Sequence, residues 1–185
     1  MAYLPREERR SAIIAAALRV IRAEGFGAVS ARSVAQAVGG SPGLIHQHFP
    51  SVAELTAAAW RAYVAESLAE FDAAVQGSEV DPVAEFFANH LDPAQGEELG
   101  IWADAWAHAL RHPAFAAVFA DSVRELTDAL RGSGAEVSDI EADRAVLLAI
   151  ALAGMQRVAP ERYTVARAAS ILDRWCAPGA QPPLS

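Results

Sequence analysis

One short segment of this 185-residue chain carries side chains and backbone suited to reading a nucleic-acid duplex. It holds Ser41, Pro42, Gly43, Leu44, His46, Gln47 and His48. Gln47 can pair with adenine through two hydrogen bonds in the major groove, and Leu44 can rest on a thymine methyl. His46 and His48 can donate to phosphate oxygens. Pro42 and Gly43 are slim enough for close backbone approach, and the free N–H groups of a first helical turn suit a phosphate. Arg32, a little upstream, is the arginine nearest that end and fits guanine or phosphate. Taken singly, each of these residues is also an ordinary solvated surface residue; the constellation is what carries meaning. Imidazole gains charge between about pH 8 and 6, so contacts from His46 and His48 predict tighter DNA binding at the lower pH.

These residues need two short helices to hold them. Ser30 is a good N-cap for a helix carrying Val34 and Val38, which Gly39-Gly40 ends. Ser41 followed by Pro42 starts a second helix by cap-plus-proline logic, and it ends near Phe49-Pro50. Ile45 and Phe49 lie four apart on one face and read as core. Upstream, Pro5 suits a first turn; Ile13, Ile14, Ala17, Leu18 and Ile21 form one buried stripe, and Gly25 ends that helix. Downstream, Ser51-Val-Ala-Glu54 reads as a capping box opening a long helix to about Val75, a rod of roughly 35 Å.

Net charge is −8, which argues against nucleic acid until its distribution is read. Residues 1–50 hold six arginines against three glutamates, whereas residues 51–185 hold nine arginines against twenty acids. Positive charge thus sits with the candidate DNA segment, and the acidic remainder disfavours DNA contact elsewhere. There is no lysine, so phosphate cations are limited to arginine, protonated histidine and the N-terminus.

Alanine, leucine and arginine dominate over tyrosine and threonine, which favours helix. The single cysteine, Cys176, excludes an intrachain disulfide and fits a reducing compartment. The longest apolar run, Ala145 to Met155, is too short to span a bilayer. Arg19 and Arg22 interrupt the N-terminal apolar stretch and make it an amphipathic helix, not a signal peptide. A cytoplasmic protein without a membrane partner is expected.

Residues 9–55 resemble the N-terminal domain of the tetracycline-repressor (TetR) family of bacterial transcriptional regulators. The matching residues are the Ile13/Ala16/Ala17/Leu18 stripe, Glu24-Gly25-Phe26, Ser30, Val34-Ala35, Val38-Gly39, Ser41, Phe49, Ser51 and Leu55. The run Ser41-Pro-Gly-Leu-Ile45 is similar to the branch containing the choline-betaine repressors. So are Trp102-Ala-Asp-Ala-Trp106, His112-Pro113 and Leu152-Ala-Gly154. Three positions depart from the family's habit. His46 stands where a tyrosine is usual, Val52 where a lysine is usual and Gly40 where a valine is usual. The resemblance implies a double-stranded DNA operator, a small-molecule effector and a homodimer joined by the last two long helices.

The remaining elements follow the same punctuation. Asp81-Pro82 opens a helix with Val83, Phe86 and Phe87. Pro93 to Gly96 is a break, and Glu97 to about Arg111 reads as helix. His112-Pro113 starts another through Leu130, Gly132-Ser-Gly134 is a turn, Ser138 caps a helix to about Val158, and Thr164 caps the last to about Cys176. An apolar ligand cavity is expected from Trp60, Phe86, Trp102, Trp106 and Phe119, with His90, His108, Asp104 and Gln156 as polar contacts. A cation over tryptophan is one option there; a packed aromatic core is the other reading of the same residues. Asp104, His108 and His112 recur at i+4, a metal-ligand spacing, but no cysteine or glutamate reinforces it and His112 reads as a cap; no metal is expected. For the dimer, Leu148, Leu152, Ala153, Ala168, Ile171, Leu172 and Trp175 are the candidate contacts, with small residues such as Gly154 allowing close approach.

The expected fold is all-α, about nine helices. It comprises a three-helix helix-turn-helix domain (1–50), a helical ligand-binding and dimerisation domain (51–176) and a disordered tail (177–185). The expected function is a ligand-responsive repressor binding a pseudo-palindromic operator and released by a small hydrophobic or aromatic ligand. The rival is a helical ligand-binding or interaction module whose DNA binding is weakened or lost. No nucleophile–base pair, phosphate-cradling glycine loop or purposeful carboxylate pair suggests an enzyme, and no cofactor motif is present.

Overall fold

Caps and prolines divide the chain into helices with little left between them. The computed structural model describes residues 5–76, 81–134 and 137–176, apart from the side chains of Pro93, Gln95, Glu97 and residues 173–176. The expected tail, 177–185, lies outside the described residues.

Helix α1 (Arg6–Glu24) follows Pro5, carries Glu7 and Glu8 in its first turn and buries Ile13, Ala16, Ala17, Val20 and Ile21. Acids at a helix N-terminus complement its dipole. A single 3-10 turn, Phe26–Ala28, leads to α2 (Ala31–Val38). The Ser30 hydroxyl accepts from the Ser33 amide at 3.0 Å, and the Ser33 hydroxyl serves the Ser30 amide in return. In α3 (Pro42–His48), Ser41 accepts from the Leu44 amide. In α4 (Val52–Val75), Ser51 accepts from the Glu54 amide at 3.1 Å, one arm of the expected box. α1 packs on both α2 and α4, so the small N-terminal unit and the long rod share a wall.

The C-terminal part contains α5 (Pro82–Leu91), α6 (Ile101–Ala109), α7 (Pro113–Gly132), α8 (Asp139–Val158) and α9 (Val165–Cys176). The expected helix from Glu97 starts four residues late. Residues 93–98 form a 3-10 stretch, kinked at Gly96 (φ 57°), and Gly100 (φ 84°) must turn the chain before α6 can begin. Only glycine enters that backbone region without strain.

α8 is the pivot of this half, packed by α5, α6 and α7. Ala142, Ala145, Val146, Ala149, Ile150, Leu152 and Ala153 turn inward from it. Its glycine serves this packing: a Cβ on Gly154 would stand 2.8 Å from that of Ala103, so Gly154 lets α6 and α8 meet within the chain. Among the described residues no helix is long and apolar enough to cross a membrane.

Candidate DNA-facing surface and sensor cavity

Two buried side chains decide which way α3 faces. Ile45 and Phe49 are 1 % and 2 % exposed and anchor it to the core. Ser41, Pro42, Gly43, His46 and Gln47 are consequently exposed, as is Arg32 on α2. Leu44 and His48 are only partly so. Leu44 leans into the space over Gly40, where a Cβ would meet its Cδ2 at 2.8 Å. Gly40, where a valine is usual, thus frees room for Leu44 to pack, which takes part of that side chain from DNA. His48 has its Nδ1 buried without a hydrogen-bond partner, so His46 is the better-placed phosphate donor. Much of the N-terminal arginine charge is engaged internally. Arg10 lies over the Phe49 ring at 4.6 Å, and Arg19 donates to the Ala37 carbonyl at 2.9 Å. Neither role was legible in the one-dimensional pattern, because each links α1 to a different helix.

Between the two halves lies an aromatic core. Phe26, from the turn after α1, packs on Trp60 (5.7 Å between ring centres), Phe115 (5.3 Å) and His108 (5.1 Å). Trp60 also meets Trp102 edge-on at 4.7 Å, and its indole N–H donates to the Ser122 hydroxyl at 3.0 Å. Trp60 and Phe119 belong to this packing, Phe86 packs on Phe71, Phe87 and His90, and none of the three lines the more enclosed cavity. Gln156 is buried outside it with its Oε1 unpartnered. Trp106 is 44 % exposed. It shares a helical face with Trp102 in projection, but α6 is too close to α7 and α8 to bury both. His108 lines a second, more open space of about 480 Å³ with Gly25, Phe26, His112 and Arg157.

The more enclosed cavity holds about 310 Å³. Of the expected residues, Trp102 and His90 line it; Arg22, Tyr63, Glu66, Ser67, Glu70, Asn89 and Glu98 were not anticipated. A signal did exist, since Tyr63, Glu66, Ser67 and Glu70 form one i, i+3, i+4, i+7 stripe on α4. Arg22, from the last turn of α1, enters from the other side. Its Nε stands 2.9 Å from Glu98, its Nη2 3.5 Å from Glu66, and its guanidinium 5.7 Å from the centre of the Tyr63 ring. Burial, reinforced by Glu98, pushes the Tyr63 phenol above its ordinary range. His90 donates from Nδ1 to the Phe86 carbonyl at 2.8 Å, since a carbonyl can only accept, and its Nε2 is left without a partner. Burial holds His90 below the ordinary imidazole value.

Residues 13–59 match the family model described as bacterial regulatory proteins, tetR family. Those residues are similar to the TetR family. No curated protein matches the chain. Among solved structures, the multidrug binding protein EbrR in complex with imidazole is 24 % identical over 97 % of this chain and 100 % of its own, with a TM-score of 0.73. A transcriptional regulator from a Rhodococcus species is 25 % identical over 90 % and 92 %, with a TM-score of 0.70. A regulator from Saccharomonospora viridis in complex with choline is 19 % identical over 91 % and 95 %, with a TM-score of 0.72. The likeness of fold to these structures therefore extends through the C-terminal helices.

Three of the residues expected at the dimer contact are covered within the chain itself. Leu152, Ala153 and Ala168 are 4 %, 5 % and 1 % exposed in the single chain, leaving little surface for a partner. Leu152 and Ala153 face inward because α8 supplies the core to α5, α6 and α7. Leu148, Ile171 and Leu172 are half-buried, and the Trp175 side chain lies outside the described residues. The exposed apolar positions are instead Ile140, Leu147 and Val158 on α8 and Val165 on α9. Asp104 pairs with Arg157 at 3.8 Å, and the His108 and His112 rings stack at 3.9 Å. Among the described residues no group of three metal-capable side chains is found.

His90 and the partly exposed His108 predict a pH dependence. Burial, aided by His112, also lowers His108. Both groups resist protonation in the fold, whereas the unfolded chain takes up protons near pH 6.5. Their neutral forms therefore favour the fold above that pH, and stability declines as pH falls below it. The urea midpoint is expected to drop between pH 7.5 and 5.5, and to drop less in His90→Gln. Equal drops in both proteins would remove His90 from the account.

Proposed function

We propose that the protein is a ligand-responsive transcriptional repressor that binds a pseudo-palindromic operator as a homodimer. A small hydrophobic or aromatic ligand releases it. The observation that carries this reading is α3 itself: Ile45 and Phe49 anchor it, so that Ser41, Pro42, Gly43, His46 and Gln47 form an exposed row beside Arg32. The TetR-family match over residues 13–59 supports the docking mode. Recognition helices present N-terminal residues to base edges, and dimers place two of them one DNA turn apart or a multiple of it. Small-molecule complexes of EbrR and of the Saccharomonospora viridis regulator support a small-molecule effector. The choline complex, with the Ser41 to Ile45 run, also supports the choline-betaine-like branch.

The release mechanism is a population shift. α4 links the N-terminal unit to the cavity wall, and a ligand that prefers one tilt of that rod changes the spacing of the two α3 helices. A coupling of about 1–3 kcal/mol lowers operator affinity roughly 5- to 150-fold. The second reading, a sensor without DNA binding, is favoured by Val52, by His46 and by the arginines tied up at Phe49 and Ala37. A gel shift on the DNA upstream of the protein's own gene, at low salt, separates them. Arg32→Ala/Gln47→Ala is expected to cost about 1–3 kcal/mol for each base that is no longer read. A wild type that shifts no duplex would leave the second reading standing.

A further inference from the structure

We infer that α1 sets the pose of α3 through two arginines, Arg10 and Arg19, and that these are positioning residues for base reading, not phosphate contacts. The consequence at DNA rests on the regulator reading above; the effect on the pose of α3 does not. α3 is short and has little to hold it. It buries one side chain of its own, Ile45, and Phe49 closes its end. Its chief packing partner is α2. Its direction is therefore decided at two places, the turn from which it starts and the residue on which it stops.

Arg19 acts at the first. A helix leaves its last carbonyls without amides of its own. At the end of α2, the Gly40 amide donates to the Ala35 carbonyl at 2.8 Å and the Gly39 amide to that of Gln36 at 3.2 Å. The Ala37 carbonyl receives the Arg19 guanidinium instead, at 2.9 Å. An arginine there also meets the negative end of the α2 dipole. Gly39 follows at φ 68°, which glycine adopts without strain, and Ser41 then caps α3. Arg19 thus ties α1 to the backbone from which the turn departs.

Arg10 acts at the second. Its guanidinium lies 4.6 Å from the centre of the Phe49 ring, an attractive placement for a cation. Phe49 is the C-cap of α3, its amide bonded to the Ile45 carbonyl at 2.9 Å. The step from Arg10 to Arg19 is about two and a half helical turns, so the two leave α1 on opposite flanks. One flank holds the turn and the other holds the end of α3. Both charges are spent inside the unit. Among the described residues, Arg6, Arg9 and Arg32 make no ion pair or side-chain hydrogen bond and remain for DNA.

Base reading and phosphate attraction differ in what they ask of α3. Paired hydrogen bonds to a base edge need an aligned helix. Non-specific binding is counterion release and tolerates a tilted one. Loss of either arginine therefore lowers the preference for the operator, not the attraction to DNA at large.

The test has two arms. The first is hydrogen–deuterium exchange of the full chain without DNA. Arg19→Met, which keeps the stem and removes the donors, is expected to speed exchange roughly threefold or more over residues 39–44, and Arg10→Ala over residues 45–49. Residues 13–21 and 55–64 are expected to keep wild-type rates, which a general loss of stability would not allow. The second arm is fluorescence anisotropy, across a range of salt, on the DNA upstream of the protein's own gene and on a scrambled duplex of equal length. Each variant is expected to bind the first about three- to tenfold more weakly, the worth of one such contact, and the second as wild type does with the same salt dependence. Arg10→Lys, which keeps a cation over the ring, is expected to restore both readouts. Unchanged exchange in both variants, or exchange raised equally along the chain, would overturn the inference. So would weaker binding to both duplexes with a salt slope lowered by about 0.9, the mark of a lost phosphate contact. A wild type that prefers neither duplex removes the regulator reading, and the exchange arm still decides the pose.

Discussion

Leu147→Glu is expected to turn the protein into a monomer and to weaken operator binding at least a hundredfold. Leu147 is 50 % exposed on α8, and Ile140, Ala151 and Val158 fall on the same side of that helix at spacings of seven, four and seven. Val165 extends the apolar surface to α9. An apolar row of this kind, left uncovered beside an already filled core, is what an isologous interface buries. A glutamate at its middle would be desolvated in such an interface, at a cost no apolar neighbour offsets. Two α3 helices joined in one dimer gain about 10²–10⁴ in avidity over one alone, so separation removes that factor. Light scattering and gel shifts on the same preparation read both effects. Leu147→Met should retain both. A Leu147→Glu protein that remained dimeric with unchanged operator affinity would place the interface elsewhere.

Trp60→Ala is expected to lower folding stability by about 3–5 kcal/mol, as truncations of buried aromatic side chains do. Trp60 is fully buried, packs on Phe26, Tyr63, Trp102, Phe115 and Phe119, and donates to Ser122. Truncation opens a cavity where the N-terminal unit, through Phe26, meets the cavity wall, through Trp102. The Ser122 hydroxyl keeps its bond to the Val118 carbonyl at 2.9 Å, so the loss is chiefly of packing. Against a typical total of about 5–15 kcal/mol, this is a large fraction. Urea midpoints measure it, and Trp60→Phe should lose distinctly less. A loss below about 1 kcal/mol in Trp60→Ala, against the several expected for a buried aromatic, would mean that the aromatic cluster is not the core joining the two halves.

The helices were legible because their ends are local chemistry. Ser30, Ser41, Ser51, Ser138 and Thr164 each accept from an amide three residues on, and a cap needs no distant partner to be recognised. The outward row of α3 was legible for a similar reason: Ile45 and Phe49 share a face, and what lies opposite must be exposed. The start of α6 was not, since Glu97 has helical propensity but Gly96 and Gly100 adopt positive φ and hold the chain in a kink until Ile101. The cavity was legible only in part. Trp102 and Trp106 are equivalent in helical projection, and only the positions of α7 and α8 bury one and expose the other. Arg22 looked like surface charge on an N-terminal helix. Its acids lie far along the chain, on α4 and in the stretch before α6, and a pairing across folded elements leaves no periodic trace. The inward side of α8 was illegible for a related reason: the middle of the helix is apolar nearly all round, so its sequence does not say which side serves the core.

The account stands on α3 entering duplex DNA in two copies held apart by the C-terminal helices. Hydroxyl-radical footprinting on the DNA upstream of the protein's own gene tests this most directly. Two protected half-sites on one face of the duplex, one helical turn or a multiple apart, are predicted, with protection lost from both in Arg32→Ala/Gln47→Ala. A single protected patch, or protection that ignores that double substitution, would contradict it.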